Sequence, residues 1–251
     1  MAFLNGFLPK PSQLTGRYVE PFVGSAAVFL HVRPRKATIS DANPELIDLY
    51  LGIKKCPAEV WRAYSAFKNT KREYLRVRRM DPAALELVDR AARLLYLNRT
   101  CFKGNWRHNL KGEFNVGYGG QSRRWVLSED YLTGVSNALR RAVIECGDFE
   151  DVIDRAEPGD FLFLDPPYRP GERELVHSHY LARRFGFDDH RRLAAALKRA
   201  DSRGVEWCLT TSGHLDIRRM FVGHQIREIP TRGNPRTPSG EVLVLSKRGR
   251  R

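Results

Sequence analysis

Phe161-Leu-Phe-Leu runs directly into Asp165-Pro166-Pro167-Tyr168. An unbroken apolar run of this length suits a strand covered on both faces, as in a parallel sheet flanked by helices. Proline has no N–H to give to a sheet ladder, so the strand has to end at Asp165. In an open α/β sheet, ligands bind in the crevice beyond the carboxyl ends of the strands. The tetrad then holds a carboxylate and an aromatic ring at a rim, on a loop whose φ angles are largely set by its prolines. Such a pair suits a planar group that carries an exocyclic amine. The plain alternative is a buried strand followed by an ordinary Pro-rich turn. Tyr168 on one side of the prolines and the apolar run on the other favour the first reading.

Other stretches end in the same way. Tyr18-Val19-Glu20-Pro21-Phe22-Val23-Gly24-Ser25-Ala26-Ala27 reads as a strand closing near Glu20, a turn at Gly24, then a helix. This is the kind of turn at which nucleotide-like ligands meet a helix N-terminus. It is not the Gly-x-Gly-x-x-Gly fingerprint, and no Gly-Lys-Ser/Thr phosphate loop follows. Next comes a short strand ending on Asp41, then a helix with Asn43 as N-cap and Pro44 as its first residue. An acid roughly 20 residues after a glycine turn suits the hydroxyls of a ribose, although taken alone Asp41 is equally a turn residue. Arg141 to Phe149 forms a further strand, closing on Asp148 and Phe149.

Residues 55–95 have apolar side chains three or four apart with Arg and Lys between them, which predicts helices. After them, Tyr96 to Gly117 is polar, Gly-rich and aromatic and reads as a loop or irregular hairpin. Interleaved Arg, Asn, Lys and aromatic side chains are the groups that read base edges and stack on bases. Arg169 to Arg184 reads as a polar loop and a lid over the site. His177 and His179 within it lack a third ligand at metal spacing, so no metal is expected. Phe187 begins a helix, Val205 to Thr211 is a strand, Pro230 to Gly240 reads as a Gly/Pro-rich basic loop, and Glu241 to Leu245 is the closing strand.

Composition sets the partner class. The chain of 251 residues, 42% of them hydrophobic, is long enough to bury a full core. Nothing approaches the roughly 20 apolar residues of a membrane span, and the start lacks the charge and length of a secretory signal. A cytoplasmic protein is expected. Its Cys56, Cys101, Cys146 and Cys208 are scattered, with no Cys-x-x-Cys pair, and are read as reduced core or loop residues. Lys and Arg number 43 against 29 acids, a net charge of +14. An Arg-rich genome raises Arg but does not by itself leave acids so outnumbered, so a polyanion partner is the better account.

These stretches together resemble the Dam-like DNA adenine methyltransferases. Asp165-Pro-Pro-Tyr168 is similar to motif IV of that family, Glu20-Pro-Phe-Val-Gly24 to motif I, and Asp148-Phe149 to motif III. Asn98-Arg-Thr-Cys-Phe-Lys-Gly104 and Gly112-Glu-Phe-Asn-Val116 resemble its target-recognition region. The resemblance implies an α/β fold, a Rossmann-like S-adenosylmethionine methyltransferase sheet with an inserted, mainly helical target-recognition lobe. The core would span 1–54 and 138–251 and the insertion 55–137, with a DNA-reading loop at about 98–120. The implied catalytic residues are Asp165, Pro166, Pro167 and Tyr168. The implied cofactor residues are Glu20, Pro21, Phe22, Gly24, Asp41, Asp148, Phe149 and Asp165, with S-adenosyl-L-methionine as donor. Arg99, Phe102, Lys103, Asn105, Arg107 and Asn109 would meet double-stranded DNA; no protein partner and no membrane are implied.

Several positions depart from the family pattern. Ala26 replaces a usual Gly, Lys103 a usual Asn, Asn105 a frequent apolar residue and Gly117 a frequent Pro. The common GATC target is therefore not carried over. The Gly-Gly-Lys segment that opens the family pattern has no match in Met1 to Gly16. Together with Ala26, this motivates a second reading, a catalytically inactive methyltransferase-fold DNA-binding protein. A third, methylation of RNA or of a protein amide, ranks lower, because such relatives more often carry Asn at the first motif IV position.

Overall fold

Strands form where short apolar or β-branched runs are cut off by Pro, Gly or Asp, and helices where apolar residues recur every three or four positions. The computed structural model describes residues 3–105, 114–120, 127–167, 185–231 and 234–247, with the side chains of 231 and 234–239 left aside. The chain divides into two units, one of residues 1–42, 141–175 and 185–251, the other of residues 43–140 and 176–184.

The first unit holds a seven-stranded sheet. Its strands are β1 (Tyr18–Glu20), β2 (Ala37–Asp41), β3 (Ala142–Cys146), β4 (Phe161–Leu164), β5 (Glu206–Ser212), β6 (Gln225–Thr231) and β7 (Asn234–Leu245), in the order β3-β2-β1-β4-β5-β7-β6. The pairs among β1 to β5 are parallel, and β7 runs antiparallel to both β5 and β6. The order reverses between β1 and β4, which is where an open α/β sheet leaves its ligand crevice. As the apolar run predicts, every residue of β4 is buried. Helices α1 (Ala27–Val32), α7 (Phe149–Asp154), α8 (Phe187–Arg203) and α9 (Leu215–Met220) complete the unit. Val19, Leu162, Leu164, Leu197, Trp207 and Leu209 lie in one apolar core. Helix α8 ends where Gly204 turns left-handed (φ 79°), a conformation that Gly adopts without strain.

Pro230 to Gly240 is a correction to the sequence reading. Its described residues are strand: β6 runs into it, β7 starts inside it, and Pro230 pairs with Pro238 across register shifts. β6 is an edge strand, and an edge tolerates proline because its outward N–H groups need no partner. Those prolines resemble a loop when only local signals are weighed.

The second unit is helical: α2 (Pro44–Lys55), α3 (Pro57–Ala66), α4 (Lys71–Arg78), α5 (Leu87–Thr100) and α6 (Glu129–Leu139). Asn43 caps α2 as its position predicts, its side chain accepting from the Glu45 N–H at 3.1 Å. Helix α2 groups with these helices, in the unit that opens at Asn43. The reason is packing. Gly52 of α2 lies so close to α5 that a Cβ there would stand 2.6 Å from that of Ala91. The buried Arg93 of α5 also donates to Glu45 of α2 at 2.9 Å. Among the described residues, no helix is long and apolar enough to cross a membrane.

Candidate active site

Asp165 stands exposed just past β4, with Pro166 buried and Pro167 half-buried behind it. Tyr168, the last member of the tetrad, lies outside the described residues, as do Arg107, Asn109, His177 and His179. The parallel pairing of β4 with β5 brings Thr210 alongside, and its Oγ1 lies 2.5 Å from Asp165 Oδ1.

Glu20 ends β1, the strand next to β4. Its carboxyl is only 2% exposed and accepts from the Tyr18 hydroxyl at 2.6 Å. The backbone N–H of Phe29, in the first turn of α1, is a further donor to it. Burial pushes the Glu20 carboxyl up to about 8, opposed by the Tyr18 hydrogen bond and reinforced by the negative charge of Asp165. Burial first, then the charge of Asp165, also raises Glu241, which pairs across the ladder with Ser212 at the carboxyl end of β5. The Cys208 thiol is pushed up by the same causes, burial first. Asp165 is thus the centre of negative potential that its neighbours register. A rim built this way favours a ligand that brings positive charge.

Glu20 carries a stability prediction. Its folded value lies above the ordinary 4.5, so the folded chain holds this proton more tightly than the unfolded chain. The associated stability is complete below the unfolded value and is lost as pH rises through about 8. Glu20→Gln is expected to flatten the fall in melting temperature between pH 5 and 8. Parallel curves for the two proteins would contradict the assignment.

The turn after β1 meets the end of β2. Gly24 has φ 44°, and its N–H donates to Asp41 Oδ2 at 3.1 Å. The fold therefore joins the two residues that the sequence assigned separately to the glycine turn and to the ribose hydroxyls. It likewise joins Phe22 with Phe149, whose rings stack at 5.2 Å. Phe185, which sequence reasoning passed over, packs its edge on Phe22 at 5.8 Å. Asp148 caps α7 by accepting from the Glu150 N–H, and Arg192 of α8 donates to the same oxygen at 2.8 Å while lying over the Phe149 ring. Pro21 is buried in the turn between these groups. A separate cavity of about 120 Å³, lined by Arg17, Thr38, Glu145 and Arg155 among others, includes none of these residues. The convergence of chemistry at the strand ends outweighs that hollow as a candidate site.

In the helical unit, Arg99 is half-buried and hydrogen-bonds to the Tyr64 hydroxyl. Phe102 is 51% exposed, with the Lys103 ammonium 5.4 Å from its ring centre, and Asn105 is exposed beside them. The segment is anchored by Phe102 N–H to Gly117 O and Gly119 N–H to Thr100 O, each at 2.8 Å.

Two departures from the family pattern gain a physical account here. Ala26 (φ 55°) and Lys103 (φ 54°) both adopt the left-handed backbone that Gly and Asn tolerate best. The Ala26 methyl is fully buried, so its packing offsets much of the strain that Ala26→Gly would relieve. The Lys103 side chain is exposed and its contact is with the exposed Phe102 ring, a smaller compensation than burial. Lys103→Asn is expected to stabilise the chain by about 0.5–1 kcal/mol, read as a rise in melting temperature. A fall would show that the Lys103 side chain holds the segment.

These groups gather at the switch point of an α/β sheet, where proteins of this architecture bind their ligands. Residues 4–233 match the family described as D12 class N6 adenine-specific DNA methyltransferases. The chain is 32% identical over 239 residues to the type II methyltransferase M1.LlaDCHI of Lactococcus lactis subsp. cremoris, covering 91% of this chain and 84% of that one. It is 30% identical over 249 residues to the DNA adenine methylase of Vibrio cholerae serotype O1, covering 95% and 88%. It is 33% identical over 251 residues to the DNA N-6-adenine-methyltransferase of Escherichia phage P1, covering 95% of this chain and 33% of that larger protein. The chain belongs to the D12 class of N6 adenine-specific DNA methyltransferases.

Proposed function

We propose that the chain transfers a methyl group from S-adenosyl-L-methionine to the exocyclic N6 amine of an adenine flipped out of duplex DNA, at a defined sequence. The observation that carries this reading is the grouping of Asp165, Glu20 and the Gly24–Asp41 turn around the switch point of the sheet. The donor supplies an electrophilic methyl on a sulfonium. The residues suit it: Asp41 for the ribose hydroxyls, Phe22 and Phe149 with Asp148 for the adenine ring, and the Glu20 carboxyl, whose ionisation an approaching cation favours, for positive charge.

Asp165 and the Pro166 carbonyl accept the two N–H bonds of the target amine. Its lone pair is delocalised into the purine, and acceptors placed where positive charge grows draw it back onto nitrogen. Pro167 keeps the loop rigid, and Tyr168 stacks on the extruded base. Because paired adenine is shielded inside the duplex, the base has to leave the stack before it reacts. Exposed Phe102 with Lys103, Asn105, Arg107 and Asn109 are assigned to DNA contact, Phe102 by stacking. Arg99 has a second duty as a partner of Tyr64 inside the helical unit. The excess of basic residues suits a DNA backbone in the cytoplasm. A modification role beside a restriction enzyme fits relatives named as type II methyltransferases.

An inactive DNA-binding scaffold is not favoured by the family match. The deciding experiment expresses the chain in cells free of adenine methylation and sequences their DNA with a method that detects modified bases on single molecules. N6-methyladenine in one sequence context is the expected result. Unmodified DNA, with label from S-adenosylmethionine appearing instead in RNA or protein, would overturn it.

A further inference from the structure

We infer that Thr210 is a positioning residue for Asp165, holding its carboxylate in the orientation that accepts the target amine. The inference rests on the reading of Asp165 given above and adds a residue to it. The parallel register pairs Leu164 with Leu209, so the next residue of β5 comes alongside the first residue past β4. Thr210 Oγ1 lies 2.5 Å from Asp165 Oδ1 and 3.3 Å from the Leu164 carbonyl. A threonine hydroxyl has a single proton to donate. The shorter contact, to the charged acceptor, is the one that takes it.

The two partners differ in rigidity. Asp165 is exposed at the end of its strand, and the torsion about a carboxylate's Cβ–Cγ bond is broad. Thr210 is 4% exposed, sits inside a strand flanked by β4 and β7, and is stiff at χ1 because it is β-branched. Thr210 is therefore the stiffer member of this hydrogen bond and constrains the carboxylate it meets. The setting raises the demand for such a donor, since Glu20 and Glu241 both register the charge of Asp165. A hydroxyl aimed at Oδ1 stabilises the carboxylate without adding a cation that would repel a sulfonium.

A buried threonine that only satisfies a strand carbonyl would behave differently, and the experiment separates the two. Thr210→Val, Thr210→Ser, Thr210→Ala and Asp165→Ala are each assayed as the full chain, with tritiated S-adenosylmethionine and long duplex DNA free of adenine methylation. Thr210→Val is expected to lower kcat about 10–100-fold, the range for groups that orient a functional side chain through a hydrogen bond. KM for both substrates stays within about threefold, and Thr210→Ser recovers kcat to within about threefold of the parent. Thr210→Ala carries the same expectation as Thr210→Val and serves if the valine variant does not fold. The inference is overturned if the hydroxyl-free variant that folds keeps kcat within about threefold, or if Thr210→Ser is as impaired as that variant. An active Asp165→Ala would instead remove Asp165 from the mechanism, whatever Thr210 does.

Discussion

Replacing Asp165 with alanine is expected to lower methyl transfer at least about a hundredfold while leaving the melting temperature unchanged or slightly raised. In the proposed mechanism, loss of turnover follows from removing an acceptor for the amine on which positive charge develops. The stability half of the expectation comes from its neighbours. The charge of Asp165 contributes to pushing up Glu20, Glu241 and Cys208, so deleting it eases their ionisation, and the Thr210 hydroxyl keeps an acceptor in the Leu164 carbonyl at 3.3 Å. The side chain is also exposed, so no cavity forms. DNA affinity is expected to hold, since the residues proposed for DNA contact belong to another unit. Turnover within about threefold of the parent, or a marked drop in melting temperature, would refute this account of the rim.

The second large effect lies in the sheet unit, away from the rim. Asp160 is 5% exposed and accepts from the Arg17 backbone N–H and from Arg17 Nη2, each at 2.6 Å, and from the Glu157 N–H at 3.1 Å. These bonds fasten the entrance of β1 to the entrance of β4, the two strands that carry Glu20 and Asp165 at their exits. Burial alone would raise the Asp160 carboxyl, but the Arg17 guanidinium and the backbone donors outweigh it and hold the group below its ordinary 3.8. Asp160→Ala leaves Arg17 without its carboxylate and is expected to cost about 3 kcal/mol, the low end for breaking a buried pair, because Arg17 still reaches water. For a chain of this size that is a fall in melting temperature of roughly 6–12 °C.

The sign of the pH effect follows from the depressed value. The stabilisation is complete above 3.8 and disappears as pH falls through the lower folded value, so the variant should lose the acid limb of the parent's stability curve. Asp188→Asn is the control, because the Asp188–Arg191 pair is exposed on both sides and such pairs contribute little. Equal losses in Asp160→Ala and Asp188→Asn would show that the Arg17–Asp160 pair is not the fastening described here.

What sequence alone could reach was whatever depends on neighbours along the chain. Asn43 before Pro44 announces a helix start because capping needs only a side-chain oxygen two residues from an unpaired N–H. The prolines after Asp165 end β4 because they lack a donor, and the acids at Glu20, Asp41 and Asp148 mark strand exits for equally local reasons. The family resemblance supplied roles for those acids and also exposed Ala26 and Lys103 as exceptions. It did not supply the cause, a left-handed backbone at both, since φ is not written in a residue's name.

Only the tertiary structure decided who stands beside whom. Thr210 meets Asp165 through the parallel register of β4 and β5, which are joined through α8, and Phe22 meets Phe149 only because β1 and β3 share one sheet. The described residues of Pro230 to Gly240 became sheet for a similar reason: local residues favour a loop, and the position at a sheet edge overrode them. Local chemistry places the ends of strands, but the potential at those ends is a sum over groups far apart in sequence, and the fold sets its terms.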